Sequence, residues 1–256
     1  MADKADVSNI PTWRVELDRG HLTRINGDGR NFHYKLPSTL VEGPNMTRRP
    51  NGYLLKAIAI GNEKLPGLSD DIRLGVNPRI NYQGIVDANG QPITTVDGNK
   101  EGSKQYNLRI GNNQYTVSTR TMTHLFLAWQ SQHVINTIEN NREILGVRNA
   151  TDDFSNIPLH THYSLFAHND QLYEAQIIER LPGSNLDGAV RDTSSLLPLE
   201  EVANAGVQIG KSIDKLGEYG AIHGDVKPAN ILRFKGEYFL VDFDLSTAVG
   251  MNPLTE

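Results

Sequence analysis

The sequence predicts an α+β fold, in which a region of strands and turns is followed by a region with two helices. Up to about residue 105 the chain is rich in Gly, Asn, Pro and Asp, and apolar stretches such as residues 53–60 indicate strands joined by turns. Residues 121–145 contain no Gly or Pro and place apolar residues at mostly helical spacing. Residues 198–220 are amphipathic, with Pro198 at the start and glycines at the end, which predicts a second helix.

Composition excludes several classes of protein. The 256 residues include no cysteine, so a disulfide, a thiolate metal site and a cysteine nucleophile are excluded. No run of about 18 apolar residues occurs, which argues against a membrane span, and residues 1–13 lack the layout of a secretory signal. A net charge of -5 gives no general attraction to nucleic acid. We therefore expect a cytoplasmic protein without nucleic acid as a partner.

Two hairpins are predicted around the second helix. Residues 161–167 and 171–181 read as strands that are joined at "HND" and ended by Pro182 and Gly183. After the second helix, "NILRF" and "YFLVDF" are separated by "KGE", which predicts a smaller hairpin. The smaller hairpin is of interest because polar residues stand at both of its ends.

These polar residues have the chemistry of a phosphate-handling site. Asp225 and Asn230 precede the first strand of the smaller hairpin, and Asp242 closes the second. Carboxylate and amide oxygens together suit Mg²⁺ beside phosphates. Lys227 could neutralise charge on a transferring group while Asp225 accepts the proton of an attacking hydroxyl. Turn capping is the ordinary role of Asp and Asn, but it does not require this combination inside apolar strands, and the pattern favours phosphoryl transfer.

The run "IHGDVKPANIL" followed by "VDFD" resembles the catalytic loop and metal-binding turn of the protein kinase superfamily, which usually read H-R-D-x-K-x-x-N and D-F-G. The resemblance implies that Asp225 is the catalytic aspartate and Lys227 the phosphate-facing lysine. It implies that Asn230 and Asp242 bind Mg²⁺. ATP and Mg²⁺ are the cofactors that it implies, and a protein substrate is the implied partner.

The chain upstream of this loop also resembles a kinase. The segment "QIIERLPGSNL", residues 176–186, is similar to a fifth strand and hinge. By that similarity Ile178 is the gatekeeper, Glu179 begins the hinge, and the backbone of Leu181 meets adenine. The helix at residues 121–145 corresponds to the αC helix, and Glu139 is its implied ion-pairing glutamate.

Two positions depart from the family pattern. Gly224 replaces the arginine that often precedes the catalytic aspartate, and Asp244 replaces the glycine of the metal-binding turn. Because that arginine couples the site to a phosphorylated activation loop, its absence implies activity without such a switch. Only ten residues follow Ser246. A minimal second lobe resembles the reduced kinases of bacterial effectors, which implies delivery into a host cell without a signal peptide; a piece of a longer kinase would fit equally.

The position of the nucleotide-anchoring lysine depends on which hairpin is aligned with the first kinase strands. Residues 96–120 contain a glycine-containing loop and a hairpin, and in that alignment Ser118 stands at the lysine position. Lys104, just past Gly102, would then reach the phosphates instead. A rival alignment takes residues 19–36 as the hairpin and Lys35 as the anchor, but it needs an insertion of about 85 residues before the helix. We therefore predict Lys104, with Gly102 in the same loop.

The resemblance implies a two-lobed protein kinase-like fold with a reduced C-terminal lobe. Residues 91–181 would form the N-lobe and residues 182–256 the minimal C-lobe, after a β-rich region of unknown role at residues 1–90. The implied function is an ATP- and Mg²⁺-dependent protein kinase acting on Ser or Thr hydroxyls. A small-molecule phosphotransferase of the aminoglycoside or choline type is one alternative, although Lys227 replaces the second histidine of its "HGDLHxxN" motif. A catalytically dead kinase-like binding module is the other.

Overall fold

The computed structural model of the protein describes ten stretches of the chain between residues 17 and 249. The described residues are 17, 19–27, 31–37, 39, 51–68, 85–87, 105–110, 113–145, 156–191 and 197–249. Their strands and helices confirm the predicted mixture of α and β structure. Across these residues, no helix combines the length and the apolar character that crossing a membrane requires.

The described elements are thirteen strands and three α-helices. The strands are β1 (Thr23–Gly27), β2 (Asn31–Leu36), β3 (Tyr53–Ala59), β4 (Ile85–Asp87), β5 (Gln105–Ile110), β6 (Asn113–Ser118), β7 (His160–His168), β8 (Gln171–Glu179), β9 (Ser184–Asn185), β10 (Ala221–Ile222), β11 (Ile231–Phe234), β12 (Glu237–Leu240) and β13 (Thr247–Ala248). The helices are α1 (Thr119–Leu145), α2 (Leu186–Arg191) and α3 (Leu199–Glu218).

Five strands form one sheet in the order β1-β2-β3-β8-β7. Strands β1, β2 and β3 follow one another along the chain and pair antiparallel. One face of this sheet is apolar, and its buried members form a core cluster of Leu36, Tyr53, Leu55, Ala57, Phe166, Ala175 and Ile177. Because side chains alternate along a strand, the residues between these positions on β3 and β8 lie on the opposite face. Lys56 and Glu174 are among them.

A second sheet, of three strands in the order β4-β5-β6, lies between β3 and α1 along the chain. The hairpin predicted within residues 96–120 is present as β5 and β6, with Gln105 opposite Ser118. It does not join the five-stranded sheet. The hairpin at residues 19–36 does join it, as β1 and β2, because β2 pairs along its whole length with β3. Of the two hairpins that the sequence offered, the one at residues 19–36 is therefore part of the five-stranded sheet.

Helix α1 begins at Thr119, two residues before the predicted start, and a distant carboxylate binds the residues at this end. Glu63 accepts the backbone N–H of Ser118 at 3.2 Å and also the hydroxyl of Thr121. Burial alone would raise the pKa of Glu63, but the hydrogen bonds from Ser118 and Thr121 outweigh it and lower the pKa to about 2. A carboxylate at a helix N-terminus also complements the helix dipole.

The other predicted elements have the expected form. Strands β7 and β8 are joined by Asn169 and Asp170, with φ of 50° and 59°, which are the left-handed values that a tight hairpin turn needs. Helix α3 follows Pro198 and buries one side, including Ile209 and Leu216. Strands β11 and β12 confirm the smaller hairpin.

The described residues fall into two compact units. The first unit holds β1 to β6, the start of α1 up to Phe126, and β7 and β8 between Thr161 and Ile178. The second unit holds the rest of α1 and the described residues after Ile178. This division differs from the predicted boundaries at residues 90 and 181. Strands from both sides of residue 90 share one sheet.

Candidate active site

The polar loop predicted from the sequence lies within the second unit, between β10 and β11. Strand β10 pairs with β13, so that Ile222 stands opposite Thr247. The backbone N–H of Val249 bonds to the carbonyl of Gly220 at 2.8 Å. These pairings bring the chain that follows Asp242 back to the beginning of the loop. The loop and the metal-binding turn are thus held as one piece of structure.

Asp225 is held through one carboxylate oxygen. Lys227 Nζ lies 2.5 Å from Asp225 Oδ2, and Asn230 Nδ2 donates to the same oxygen at 2.9 Å. Asn230 Nδ2 also donates to the backbone carbonyl of Asp225 at 3.0 Å. The hydrogen bond to Asp225 raises the pKa of Lys227, whose ammonium is solvent-exposed. The three predicted residues therefore meet, and Oδ2 is the oxygen that they fix.

Asn230 is placed by a turn of 3₁₀ helix formed by residues Pro228–Asn230. Its side chain is buried, and its backbone carbonyl accepts the N–H of Val241 at 3.0 Å, next to Asp242. Because the amide nitrogen of Asn230 is bound to Asp225, its Oδ1 atom is the one with which it would bind a metal. An amide oxygen and a carboxylate are ligands that Mg²⁺ accepts, so the donor set fits the predicted ion.

Asp242 has a backbone φ of 71°, in the left-handed region that side-chain-bearing residues rarely adopt. Aspartate tolerates this region better than most residues, at a cost on the order of 1 kcal/mol. Such conformations gather at functional sites, where surrounding structure holds them. The next residue, Phe243, is buried and anchors the turn.

His223 joins the loop to the strand before Asp242. The backbone N–H of Asp225 can only donate, so Nδ1 of His223 accepts it, at 3.3 Å. The carbonyl of Val241 can only accept, so Nε2 of His223 carries the proton of that bond, at 3.0 Å. The ring is therefore neutral, and burial lowers its pKa below the ordinary value. The role of His223 in this structure is to join the loop to the strand before Asp242.

Phe243 packs between two histidine rings. Its ring centroid lies 4.7 Å from that of His223 and 5.5 Å from that of His160, and both contacts are edge-on. Edge-on aromatic pairs add to the free energy gained by burial. This stack connects the polar loop to the beginning of β7.

Gly224 has a packing reason to be glycine. Its φ is 80°, and an added Cβ atom would lie 2.2 Å from the carbonyl oxygen of Leu245. Real Cβ atoms do not approach an oxygen so closely, so no side chain fits without movement of the backbone. The sequence indicated only that an arginine is missing here. The structure shows that the backbone of the metal-binding turn occupies the adjacent space.

The predicted hinge residues follow β8. The backbone N–H of Glu179 donates to the carbonyl of Leu159 at 2.8 Å, and the carbonyl of Leu181 accepts the N–H of Gly183 at 2.8 Å. An added Cβ on Gly183 would lie 2.0 Å from the carbonyl oxygen of Arg233. The backbone is therefore closely packed after β8, and the adenine contacts of Glu179 and Leu181 stay predictions.

Glu139 is part of an ion pair on α1. Its Oε1 atom lies 2.9 Å from Arg142 Nη1 and accepts the backbone N–H of His160 at 2.9 Å. Arg142 is buried and also donates to the carbonyl of Ile157 at 2.6 Å. These bonds fix the second half of α1 to residues 157–160. The nucleotide-binding role of Glu139 stays a prediction.

The structure describes some of the residues that were considered for the phosphate-facing cation. Gly102 and Lys104 lie outside the described residues. Ser118 caps α1, with its Oγ 3.4 Å from the N–H of Thr121. Lys35 is exposed on β2. The sequence analysis did not single out Lys56, which is buried on β3, the third strand of the larger sheet. A single lysine within the apolar run "YLLKAIA" was the available signal.

Comparison with known proteins gives partial matches to kinases. B1 kinase of vaccinia virus (strain Western Reserve) is 36% identical over 76 residues, which are 28% of this chain and 25% of the relative. B1 kinase of monkeypox virus matches to the same extent. The KEOPS complex subunit Bud32 of Pyrococcus abyssi is 30% identical over 70 residues, or 27% of this chain and 30% of Bud32.

Over these segments the chain is similar to proteins of the kinase superfamily. No family model matches it. The segments shared with these kinase-superfamily relatives span between a quarter and three tenths of the relatives' own lengths. The relatives therefore support the family of this kinase-like chain, whereas its own activity has to be argued from the site.

Proposed function

We propose that the protein transfers the γ-phosphoryl group of ATP to a Ser or Thr hydroxyl of a protein. The supporting observation is the arrangement around Asp225, whose Oδ2 accepts bonds from both Lys227 and Asn230. Two fixed donors on one oxygen orient the carboxylate, so that its other oxygen can accept the proton of an acceptor hydroxyl. Positioned proton transfer of this kind contributes to rate.

The remaining residues of the loop have separate roles in the proposal. Lys227 carries an exposed positive charge beside Asp225, where it would stabilise negative charge on the transferring group. Asn230 and Asp242 would hold Mg²⁺. When bound, the ion neutralises phosphate charge as the group is transferred.

For the cation that anchors the phosphates of ATP, we propose Lys56 in place of Lys104. In protein kinases this lysine stands on the third strand, and Lys56 stands on β3, the third strand along the chain in the larger sheet. A buried lysine needs an anionic partner because an unpaired ammonium is costly to bury. The strand that carries Lys56 is preceded by the hairpin β1 and β2, as the rival alignment requires.

The proposal also names the class of molecule that accepts the phosphoryl group. Lys227 stands where small-molecule phosphotransferases of the "HGDLHxxN" type have a histidine, and this difference favours a protein acceptor. Retention of Asp225, Lys227, Asn230 and Asp242 argues against a catalytically dead binding module. Cytoplasmic location and delivery into a host cell stay predictions from the sequence.

Transfer of labelled phosphate tests the proposal. The purified chain is incubated with γ-labelled ATP and Mg²⁺, together with a generic protein acceptor or an aminoglycoside. We expect label on Ser or Thr of the protein acceptor. Label on the aminoglycoside alone would support the small-molecule alternative, and ATP binding without transfer would support the binding module.

The Asp242→Ala variant tests the metal ligand in the same assay. Because Asp242 is one of two proposed Mg²⁺ ligands, the variant should lose the part of ATP affinity that depends on Mg²⁺. Titration of ATP with and without Mg²⁺ measures this difference. Asp187→Ala, which removes an acidic side chain from the first turn of α2, is the control. Mg²⁺-dependent ATP binding by Asp242→Ala at wild-type affinity would contradict the assignment.

A further inference from the structure

Few formal charges are buried in the part of the chain that the structure describes, and a buried charge needs a partner. Among the residues whose side chains are described, the buried lysines, arginines and carboxylates are Lys56, Arg142 and Glu174, which are 8%, 1% and 4% exposed. Arg142 is paired with Glu139 and with backbone carbonyls. Burying an ion is strongly unfavourable unless a counter-charge and hydrogen bonds accompany it. The other two, Lys56 and Glu174, both belong to the first unit.

Lys56 and Glu174 share one face of the five-stranded sheet. Strands β3 and β8 are neighbours in that sheet, and Ile60 N–H donates to the carbonyl of Leu172 at 2.8 Å where they adjoin. On the apolar face, the core cluster takes Leu55 and Ala57 from β3, and it takes Ala175 and Ile177 from β8. Alternation along both strands therefore places Lys56 and Glu174 together on the other face.

The distances typical of neighbouring strands are within reach of a lysine. Side chains directly opposite on adjacent strands have Cβ atoms about 5 Å apart, and diagonal neighbours are about 7 to 8 Å apart. The four-carbon stem of lysine covers either separation. A contact between the ammonium of Lys56 and the carboxylate of Glu174 therefore needs no rearrangement of the sheet.

Neighbouring polar residues orient this face further. The side-chain amide of Gln176, which is buried two residues along β8, donates to Oε1 of Glu174. On the other side of β3, His33 of β2 stands opposite Lys56 in the strand register. The hydrogen bond from Gln176 holds the carboxylate of Glu174 on the face that it shares with Lys56.

We infer that Glu174 forms a buried ion pair with Lys56 and is the positioning residue for that lysine. The sheet itself thus supplies the carboxylate for which the sequence predicted Glu139 of α1. The positioning role in this inference rests on the proposed function, in which Lys56 is the cation that faces the phosphates of ATP. The structural half, the ion pair, does not depend on any activity.

A double-mutant cycle in the absence of ATP tests the ion pair. The variants are Lys56→Met, Glu174→Gln and the double variant, and the equilibrium constant of unfolding is measured in denaturant. Each single change leaves one buried charge alone, so the double variant should be more stable than the product of the two effects predicts. We expect a coupling factor of at least about tenfold, or about 1.4 kcal/mol. A factor within about twofold would overturn the ion pair.

A matched cycle uses the other candidate carboxylate. Lys56→Met is combined with Glu139→Gln, and we expect the two effects to multiply, because Glu139 already accepts Arg142. Coupling of Lys56 to Glu139 and not to Glu174 would overturn the inference. Should a single variant fail to fold, the yield of folded protein is compared among the variants in place of the unfolding constant. Recovery in the Lys56→Met, Glu174→Gln double variant supports the pair, and no recovery overturns it.

Steady-state kinetics test the positioning role. Glu174→Gln should raise the KM for ATP about tenfold and leave the KM for the protein acceptor unchanged, whereas Glu174→Asp, which keeps the charge, should restore part of the ATP affinity. A merely structural role would lower the amount of active protein without changing the KM of the folded fraction. An unchanged KM for ATP would overturn the positioning role. If wild-type protein transfers no phosphate while the cycle shows coupling, the proposed function fails and the ion pair stands.

Discussion

The polar loop around Asp225 and the polar face of the five-stranded sheet hold their charged side chains in different ways. In the loop, Asp225 is bonded to Lys227 and Asn230, which are two and five residues away, and its carboxylate is partly exposed. On the sheet, Lys56 and Glu174 are buried and lie more than one hundred residues apart in the sequence. A short-range site has a sequence motif that can be recognised, whereas a site assembled by strand pairing has none.

The two regions should also respond differently to substitution. Ion pairs that face water contribute little to stability because solvent screens them. Breaking a buried pair leaves a charge without compensation and destabilises the fold. We therefore expect loop substitutions to change rates, except where the backbone itself is crowded, and sheet substitutions to change stability and ATP affinity together.

The largest effect is expected at Asp225. Asp225→Asn keeps the shape of the side chain but removes the base, so kcat should fall by about 10²- to 10⁴-fold. ATP affinity and the melting temperature should stay near wild type, because the loop charge is partly exposed. Steady-state phosphate transfer and thermal unfolding measure both properties. Asp214→Asn on the exposed side of α3 is the control and should change neither. Full activity of Asp225→Asn would refute the assignment of this loop.

Gly224→Ala tests a position in the loop where a substitution should destabilise the fold. Left-handed strain and the clash with the carbonyl of Leu245 should together cost about 2 to 4 kcal/mol. Gly236→Ala is the matched control, because Gly236 has a φ of 82° but its added Cβ meets nothing within 4 Å. It should cost only about 1 to 2 kcal/mol. Equal losses in urea unfolding would show that crowding by Leu245 is unimportant.

The pH dependence of stability tests His223. Because burial lowers its pKa below the ordinary 6.5, the unfolded chain takes up a proton at a higher pH than the folded protein does. The stability supplied by the neutral ring is therefore complete above pH 6.5 and is lost as the pH falls toward the lower folded pKa.

Comparison with His223→Gln, which does not titrate, isolates this loss. Between pH 7.5 and pH 5.5, the wild type should lose more unfolding free energy than the variant loses. The surface substitution His133→Gln should follow the wild-type curve. Parallel curves for wild type and His223→Gln would mean that protonation of His223 is not linked to unfolding.

The smallest effect is expected for the cap of α1. Glu63→Gln weakens the acceptor of the Ser118 N–H, and loss of a helix cap costs about 0.5 to 2 kcal/mol. Since the pKa of Glu63 is lowered from 4.5 to about 2, this stabilisation is present above pH 4.5 and disappears as the pH falls toward 2.

Glu218→Gln is the control for this cap, because Glu218 is exposed and paired with Lys215 at 2.7 Å near the end of α3. Chemical unfolding at neutral pH should give a change of at most about 0.5 kcal/mol for this variant. If both glutamates gave the same small change, the cap would not stabilise α1.

Several elements could be predicted because their signals are local. The turn at Asn169 and Asp170 was indicated by residues that accept left-handed backbone, and α3 was indicated by its apolar spacing. The predicted start of α1 was two residues off because it overlooked Ser118, a local cap whose Oγ lies 3.4 Å from the N–H of Thr121. The carboxylate that also binds this end, Glu63, is fifty-eight residues from Thr121. No window along the sequence contains both partners of that bond.

The sequence by itself determined the polar loop around Asp225, the turn at Asp242 and the hairpins, since each of these is specified by residues within a few positions of one another. Only the tertiary structure decided which hairpin joins the five-stranded sheet. The candidates at residues 19–36 and 105–118 both alternate and turn, and pairing with β3, not the hairpin's own residues, distinguishes them. The position of β3 next to β8 in that sheet likewise determined where Lys56 is buried. Alternation shows which residues share a face, but what covers that face depends on chain that is distant in sequence.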